Sequence, residues 1–231
     1  MMEPYDEGVT KFKAHHTERP LTPRLHEDLA CTLASWRAVL AHAQLIGRDP
    51  ARYEGIGFGN VSARLGAPRA EQGRRSFLIT GTQTGGAPCV DLDSFAVVES
   101  YDSRANSVVS HGAIPPSSEA MTHGTIYDLS SRIRFVFHGH CPVIWQHSEA
   151  LGIPTTHPEV AYGTPEMAAE VRRLHRHTSL PDRRILSMGG HEDGVLAFGP
   201  TPREAGEILI ATLARAYELA CHETGGGLCV T

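Results

Sequence analysis

Four helices are predicted from the spacing of apolar residues and from the start signals in front of them. Three open with threonine then proline, which supply an N-cap and a preset first-turn φ. These pairs are Thr22-Pro23, Thr164-Pro165 and Thr201-Pro202, and Glu204 is expected to complete a capping box in the last. The first helix carries an apolar stripe of Leu25, Leu29, Leu33, Trp36 and Leu40. We expect it to end near Gly47, and a fourth helix to run from Ser117 or Ser118 toward Leu129.

Strands are predicted where β-branched and aromatic residues cluster between these helices. The six candidates are Val61 to Leu65, Ser76 to Thr80, Ala96 to Ser100, Ile133 to Phe137, Arg184 to Ser187 and Val195 to Phe198. A glycine-rich turn from Gly189 to Gly194 predicts that the last two form a hairpin. Helices at both ends with strands between them indicate a layered α/β domain.

Length and composition fit one ordinary globular domain. The chain has 231 residues, of which 41% are hydrophobic and 20% charged. No repeat or low-complexity linker divides it. We therefore predict an N-terminal arm over residues 1–20 and a single domain over residues 21–231.

Charge and cysteine usage exclude several partners. A formal net charge of −5 argues against nucleic-acid binding, which favours a basic surface. No run of about 18 apolar residues occurs, so no membrane span is expected. The polar N-terminus lacks the apolar region of a secretory signal, and the five cysteines form no CxxC pair. These features predict a cytoplasmic protein.

The strand candidate that ends at Phe137 continues directly into His138, Gly139 and His140. Side chains two residues apart in a strand point to the same face, so both imidazoles leave the sheet together. Such a pair can bind one divalent metal. Without a metal, the ring nitrogens would need other polar partners inside the protein.

Four further segments have both a reactive and a structural interpretation. They are Gly57 to Arg64, Leu78 to Gly86, Pro115 to Glu119, and the turn that contains His191. Glycines and hydroxyls before a strand or helix can bind an anion, and they are also typical of ordinary turns. Glu119 at a helix start is also favourable toward the helix dipole. A histidine in a hairpin tip is most often a surface residue.

Taken in order, these segments resemble the class II aldolase/adducin family over about Leu25 to Leu219. The motifs that carry the resemblance are GNVS at Gly59 to Ser62, LITGT at Leu78 to Thr82, PSSE at Pro116 to Glu119, and HGH at His138 to His140. The resemblance implies a three-layer α/β/α sandwich in which helices cover a central mixed sheet. It also implies a Zn²⁺ ion, or another divalent metal, and a homotetramer with sites at subunit boundaries.

The resemblance further implies roles for individual residues. His138, His140 and His191 match the metal ligands, and Glu119 matches a catalytic glutamate that can also contact the metal. Gly59, Asn60, Thr82, Ser117 and Ser118 match substrate-binding positions, where phosphate-bearing members of the family hold their substrate. His123, four residues after Glu119, is interpreted as a packing or supporting residue, and Cys141 as a core residue.

Three departures from the family pattern affect these expectations. Gln83 follows Thr82 where family aldolases have glycine, so the anion could be a carboxylate rather than a phosphate. Between Trp145 and Tyr162 the chain is shorter than in the family's fuculose-phosphate enzyme, and the tyrosine that acts there as an acid has no clear counterpart. Tyr162 matches a packing aromatic, and no catalytic role is assigned to it. Glu192 and Asp193 follow His191 where the family has glycine, and their carboxylates could orient the ligand or alter the metal site.

The function expected from the resemblance is a zinc-dependent lyase acting on a small sugar-phosphate or hydroxy-keto acid. The metal would stabilise an enediolate while Glu119 moves a proton. An epimerase or a dehydratase could use the same site. A non-catalytic, adducin-like module is the alternative from another class of function.

Overall fold

The computed structural model describes residues 8–225, and its central feature is a large sheet with helices on both faces. The helices are Pro23–His42 (α1), Ala120–Leu129 (α2), Pro142–Gln146 (α3), Pro165–His177 (α4), Leu180–Arg183 (α5) and Pro202–Glu223 (α6). The strands are Lys13–Glu18 (β1), Gly47–Arg48 (β2), Gly57–Phe58 (β3), Asn60–Arg64 (β4), Phe77–Thr80 (β5), Phe95–Asp102 (β6), Ser107–Gly112 (β7), Phe135–His140 (β8), Ile185–Ser187 (β9) and Gly194–Gly199 (β10). The predicted helices and strands are all present among them.

The sheet is mixed, as expected. Within residues 8–225 it has eight strands in the order β1-β7-β6-β5-β4-β8-β10-β9. The edge strand β1 pairs with β7 in parallel, and the other neighbours pair antiparallel. Strands β2 and β3 form a separate two-stranded ladder. The β9–β10 pair confirms the predicted hairpin.

Two hydrophobic cores, one on each face of the sheet, make the fold three layers deep. On one face, Phe137 and Val195 pack in a core that includes residues of α1 and α6. On the other, Val136 and Leu196 pack in a core that includes residues of α2 and α4. Neighbouring strand residues thus contribute to opposite cores, as the alternation of side chains in a strand requires. The three-layer α/β/α sandwich is confirmed.

The helix boundaries differ in detail from the prediction. The Thr164 and Thr201 hydroxyls accept hydrogen bonds from the N–H groups of Met167 and Glu204, at 3.2 Å each. Thr22, in contrast, makes no side-chain capping bond to the chain from residue 8 to 225. The Glu204 carboxylate accepts from the Thr201 hydroxyl at 2.8 Å rather than from the Thr201 N–H. Only half of the predicted capping box is therefore formed.

Two predicted helix limits are wrong by several residues. Helix α1 ends at His42 rather than near Gly47, because Gln44 adopts a left-handed conformation with φ of 58°. Helix α2 begins at Ala120, so Ser117 and Ser118 precede it and Glu119 occupies the N-cap position. The serines therefore belong to the approach to the helix.

Strands β1 and β7 of the large sheet were not predicted, and neither was the short β2–β3 ladder. Strand β7 lies between β6 and β1, and β1 falls inside the predicted N-terminal arm. Strand β1 has the sequence KAHHTE and is mostly exposed, so it lacks the apolar alternation that marks a half-buried strand. Charged and polar residues are typical of an edge strand. Over the described part of the chain, no helix is long and apolar enough to cross a membrane.

Candidate functional site

Three histidines from two parts of the chain meet at the end of β8. His138 and His140 are both buried strand residues, and His191 lies in the turn between β9 and β10. Strand β10 pairs with β8 so that Gly194 is opposite His140. This register brings the turn over the two strand histidines. One ligand atom from each ring lies within 4.8 Å of the others, a group that could hold a metal ion.

The ring orientations suit a metal. His138 Nδ1 lies 3.1 Å from the Val195 carbonyl oxygen. Because a carbonyl can only accept, Nδ1 carries the proton and Nε2 keeps its lone pair. His138 Nε2 is 3.1 Å from His140 Nε2. Two nitrogens bound to one tetrahedral Zn²⁺ at about 2.0–2.1 Å would be about 3.3 Å apart. The pair therefore needs little rearrangement to share an ion.

Glu119 supplies a buried negative charge next to these rings. It is 2% exposed, and its Oε1 atom lies 3.2 Å from His191 Nδ1. That distance is within ion-pair range, but the angles are not those of a hydrogen bond. Neither carboxylate oxygen accepts a hydrogen bond from any residue between 8 and 225. A buried carboxylate in this state calls for a cation nearby.

The pKa shifts agree with a cation site. Burial opposes ionisation of Glu119, but contact with His191 and the nearby His138 and His123 outweighs it and lowers the pKa to about 2. Burial, followed by the neighbouring histidines, lowers the pKa of His140 well below its ordinary value. At neutral pH the site therefore combines an anionic carboxylate with at least one neutral imidazole, the form of histidine that binds metals. The donor set fits a divalent ion.

Asp193 supports the turn that carries His191. Its carboxylate accepts a hydrogen bond of 2.6 Å from the Tyr53 hydroxyl, and Arg52 lies 3.4 Å away. Its backbone carbonyl accepts from the Cys141 N–H at 2.8 Å. Asp193 therefore holds the turn to β8. Cys141 is buried in the α1/α6 core, as expected.

The predicted substrate-binding residues line one cleft beside the histidines. Its lining includes Gly59, Asn60, Thr82, Ser117, Ser118 and Glu119. Asn60 is opposite His138 in the β4–β8 ladder. Its side-chain oxygen is buried and accepts no hydrogen bond from the portion of the chain described. The structure thus brings together every residue of the predicted site, while their roles stay a prediction.

Arg37 holds one wall of this cleft, and the sequence analysis did not identify it. Its Nη2 atom donates to the carbonyl oxygens of Thr84, Gly85 and Ala87, at 2.7, 2.8 and 2.7 Å. Gly85 packs against the Phe58 backbone, where a Cβ atom would lie 2.4 Å from the Phe58 oxygen. The only indication of Arg37 in the sequence is a charged residue at helical spacing within the apolar stripe of α1.

Two other supporting residues lie next to the site. His123 is fully buried, and its Nδ1 atom is 2.7 Å from the Ser62 hydroxyl, which is 2.7 Å from the Tyr127 hydroxyl. Burial lowers the pKa of His123 to about 3. His123 is therefore a neutral supporting residue. Tyr162 stacks on His191 with ring centroids 4.3 Å apart, a contact that sequence analysis missed.

Comparisons with known proteins agree with this geometry. A family model described as "Class II Aldolase and Adducin N-terminal domain" matches residues 49–221. A comparison with curated proteins finds no match. The structure is similar to l-fuculose-1-phosphate aldolase from Thermus thermophilus, with a TM-score of 0.59 and 20% identity over 89% of this chain and 100% of that chain.

Two other solved structures have the same fold. Sugar-phosphate aldolase from Thermotoga maritima aligns with a TM-score of 0.59 and 18% identity, over 87% of this chain and 99% of that one. YgbL from Escherichia coli, a putative aldolase/epimerase/decarboxylase, aligns with a TM-score of 0.59 and 14% identity, over 84% and 89%. Similarity at these identities establishes the architecture but not the reaction.

Proposed function

Because this chain belongs to the class II aldolase and adducin family, we propose that it is a zinc-dependent lyase. Its reaction breaks or forms a carbon–carbon bond in a small sugar-phosphate or hydroxy-keto acid. The observation that carries the proposal is the buried Glu119 carboxylate, which lies beside three histidines and has no hydrogen-bond donor among residues 8–225. A carboxylate placed in this way can both balance a metal's charge and move a proton.

His138, His140 and His191 would hold the divalent ion. When bound, the ion supplies Lewis-acid stabilisation of negative charge on the substrate's oxygens. Glu119 takes up or returns, at one of its carboxylate oxygens, the proton that the substrate carbon exchanges. The surrounding protein excludes water, because the three histidines and Glu119 are all buried.

The cleft would orient the substrate through its anionic end. Ser117 and Ser118 lie just before Glu119, the N-cap of the ten-residue helix α2, whose dipole favours an anion near its start. Asn60 and Thr82 line the same cleft. A phosphate or carboxylate bound there leaves the hydroxy-carbonyl end of the molecule facing the histidines, which fixes the reacting atoms in place.

Other reactions of the same site remain as alternatives. An epimerase or a dehydratase would need the same metal and the same carboxylate. The similarity to a putative aldolase/epimerase/decarboxylase is a reason to test for these reactions as well. A non-catalytic, adducin-like module would bury Glu119 among the histidines without using it, at a cost in folding free energy. A homotetramer and a cytoplasmic location also stay predictions.

The test is a metal assay followed by a substrate screen. Protein purified without chelator should contain about one equivalent of zinc per chain. It should then cleave at least one member of a panel of phosphorylated and carboxylated hydroxy-ketones, with activity that chelator removes and zinc restores. A protein that binds zinc but cleaves none of them, and epimerises or dehydrates one instead, would move the proposal to the alternative reaction.

A further inference from the structure

Gly8, which precedes β1, forms part of the cleft, and the Tyr162 side chain binds the backbone of the next residue, Val9. Gly8 lines the cleft together with Asn60 and Ser118. We call Gly8 to Phe12 the strap. Its far end is anchored because Phe12 is buried in the α2/α4 core and Asn106 Nδ2 donates to the Lys11 carbonyl at 2.9 Å. The near end has no such apolar anchor, since the Val9 side chain is 51% exposed.

Tyr162 fastens this near end. Its hydroxyl accepts a hydrogen bond from the Val9 N–H and donates one to the Val9 carbonyl, both at 3.0 Å. The Lys11 ammonium lies 4.2 Å from the centre of the Tyr162 ring, a cation–π distance. Both backbone groups of Val9 are therefore satisfied by the same phenol oxygen.

The other side of Tyr162 faces the histidines. Its ring stacks on His191 with an interplanar angle of 25° and a centroid separation of 4.3 Å. Tyr162 itself is only 3% exposed, and it lies two residues before Thr164, which caps α4. The ring is thus held from several directions and can limit the rotation of the imidazole that it covers.

We propose that Tyr162 is a positioning residue with two separate tasks. Its ring fixes the plane of His191, and its hydroxyl holds the strap as one wall of the cleft. The first task rests on the proposed function, because it concerns a metal ligand. The second does not, because the Val9 hydrogen bonds join the Tyr162 hydroxyl to the backbone and involve no metal ligand. Substitutions that remove the hydroxyl or the ring should therefore have different effects.

Tyr162→Phe removes the hydroxyl and keeps the ring. Hydrogen–deuterium exchange should be about tenfold faster at the Val9 amide, because two hydrogen bonds are lost. In the same variant, Co²⁺ should be released to a chelator at the wild-type rate. Unchanged exchange at Val9 would overturn the strap task. Release that accelerates on loss of the hydroxyl alone would overturn the division of the two tasks.

Tyr162→Met removes the flat ring and keeps most of the volume. The Co²⁺ complex should release its metal about ten to a hundred times faster, as is usual when a group that orients a ligand is lost. Its visible spectrum should also change, because the spectrum reports the geometry of the bound nitrogens. A spectrum and release rate equal to those of the wild type would overturn the His191 task.

The matched control is Tyr217→Phe, on α6, which should behave as the wild type in both assays. Circular dichroism verifies that each variant is folded. If the wild-type chain binds no Co²⁺, the proposed function and the His191 task both fail, whereas faster exchange in Tyr162→Phe would still support the strap task.

The kinetic consequence is a raised KM with little change in kcat for Tyr162→Phe, because the cleft wall loosens while the metal site stays intact.

Discussion

The histidine cluster is built on hydrogen-bonded strands, whereas the cleft beside it is built from turns far apart in the chain. His138 and His140 are fixed by the ladder of β8, and the β10 ladder brings the His191 turn to them. The cleft depends instead on turns held by individual side chains, such as Arg37, which donates to the carbonyls of Thr84, Gly85 and Ala87. The difference indicates that the proposed metal site depends on the sheet, while the proposed substrate preference can change through side chains that leave the sheet untouched.

The largest effect should come from the cluster itself. His138→Ala and His191→Ala should each lose most of the bound zinc, because a site with few protein ligands rarely retains its ion when one ligand is removed. Elemental analysis after dialysis measures this. His111→Ala is the control, since His111 pairs with Glu99 on β6 and lies outside the cluster. Full occupancy in His191→Ala would remove that residue from the site.

Glu119→Gln should keep the fold and the zinc and lose about 10²- to 10⁴-fold in kcat, the usual contribution of a general acid or base. The amide has nearly the same shape but cannot carry the proton. Glu166→Gln, an exposed change at the start of α4, should have wild-type kcat. A Glu119→Gln enzyme with near wild-type turnover would show that the carboxylate is structural.

Arg37→Met tests whether the cleft can be disturbed without affecting the histidine cluster. It leaves one buried and two partly buried carbonyl oxygens without this donor, so the free energy of unfolding should fall by about 2–4 kcal/mol. Denaturation in urea measures the change, with Arg24→Met on the exposed side of α1 as the control. If the cluster and the cleft are independent, the zinc content stays at the wild-type level. Loss of zinc would contradict that independence.

The smallest effect is expected at the anion site. Ser118→Ala should weaken a phosphate-bearing hydroxamate inhibitor by about tenfold and leave a non-phosphorylated hydroxamate unaffected, because only the former reaches the start of α2. Ser131→Ala, outside the cleft, is the control. Equal inhibition by both compounds, unchanged in Ser118→Ala, would show that no phosphate is bound there while leaving the metal site intact.

The sequence predicted the His138 and His140 pair because its information is local, whereas His191 was assigned through the family resemblance. The alternation of a strand places His138 and His140 on one face, and a glycine-rich turn between two apolar runs predicts a hairpin. The layers were predictable for the same reason. The start of α2 was not, because Ser117 is bound to the end of β5: the Ser117 N–H donates to the Thr80 carbonyl at 3.1 Å. With this contact, the serines lie before the helix and line the cleft.

Contacts between distant residues explain the other features that the sequence did not predict. Strand β1 forms only because β7 offers it a parallel partner, with Lys13 opposite Ser107, and nothing in its own polar sequence indicates this. Arg37 and Tyr162 gain their importance from backbone atoms 48 and 153 residues away. No periodic pattern carries such pairings. Residues of this kind can be found only once the chain is folded.

Gly139 also limits how this chain can change over evolutionary time. A Cβ atom there would lie 2.9 Å from the Leu45 carbonyl oxygen, which accepts the His140 N–H at 2.8 Å. Any larger residue would displace the acceptor that aligns His140. A lineage that gained a larger residue at this position would therefore disturb the proposed metal site. In lineages that keep Gly139, new reactions would therefore arise in the turns of the cleft, with His138, Gly139 and His140 inherited as a unit.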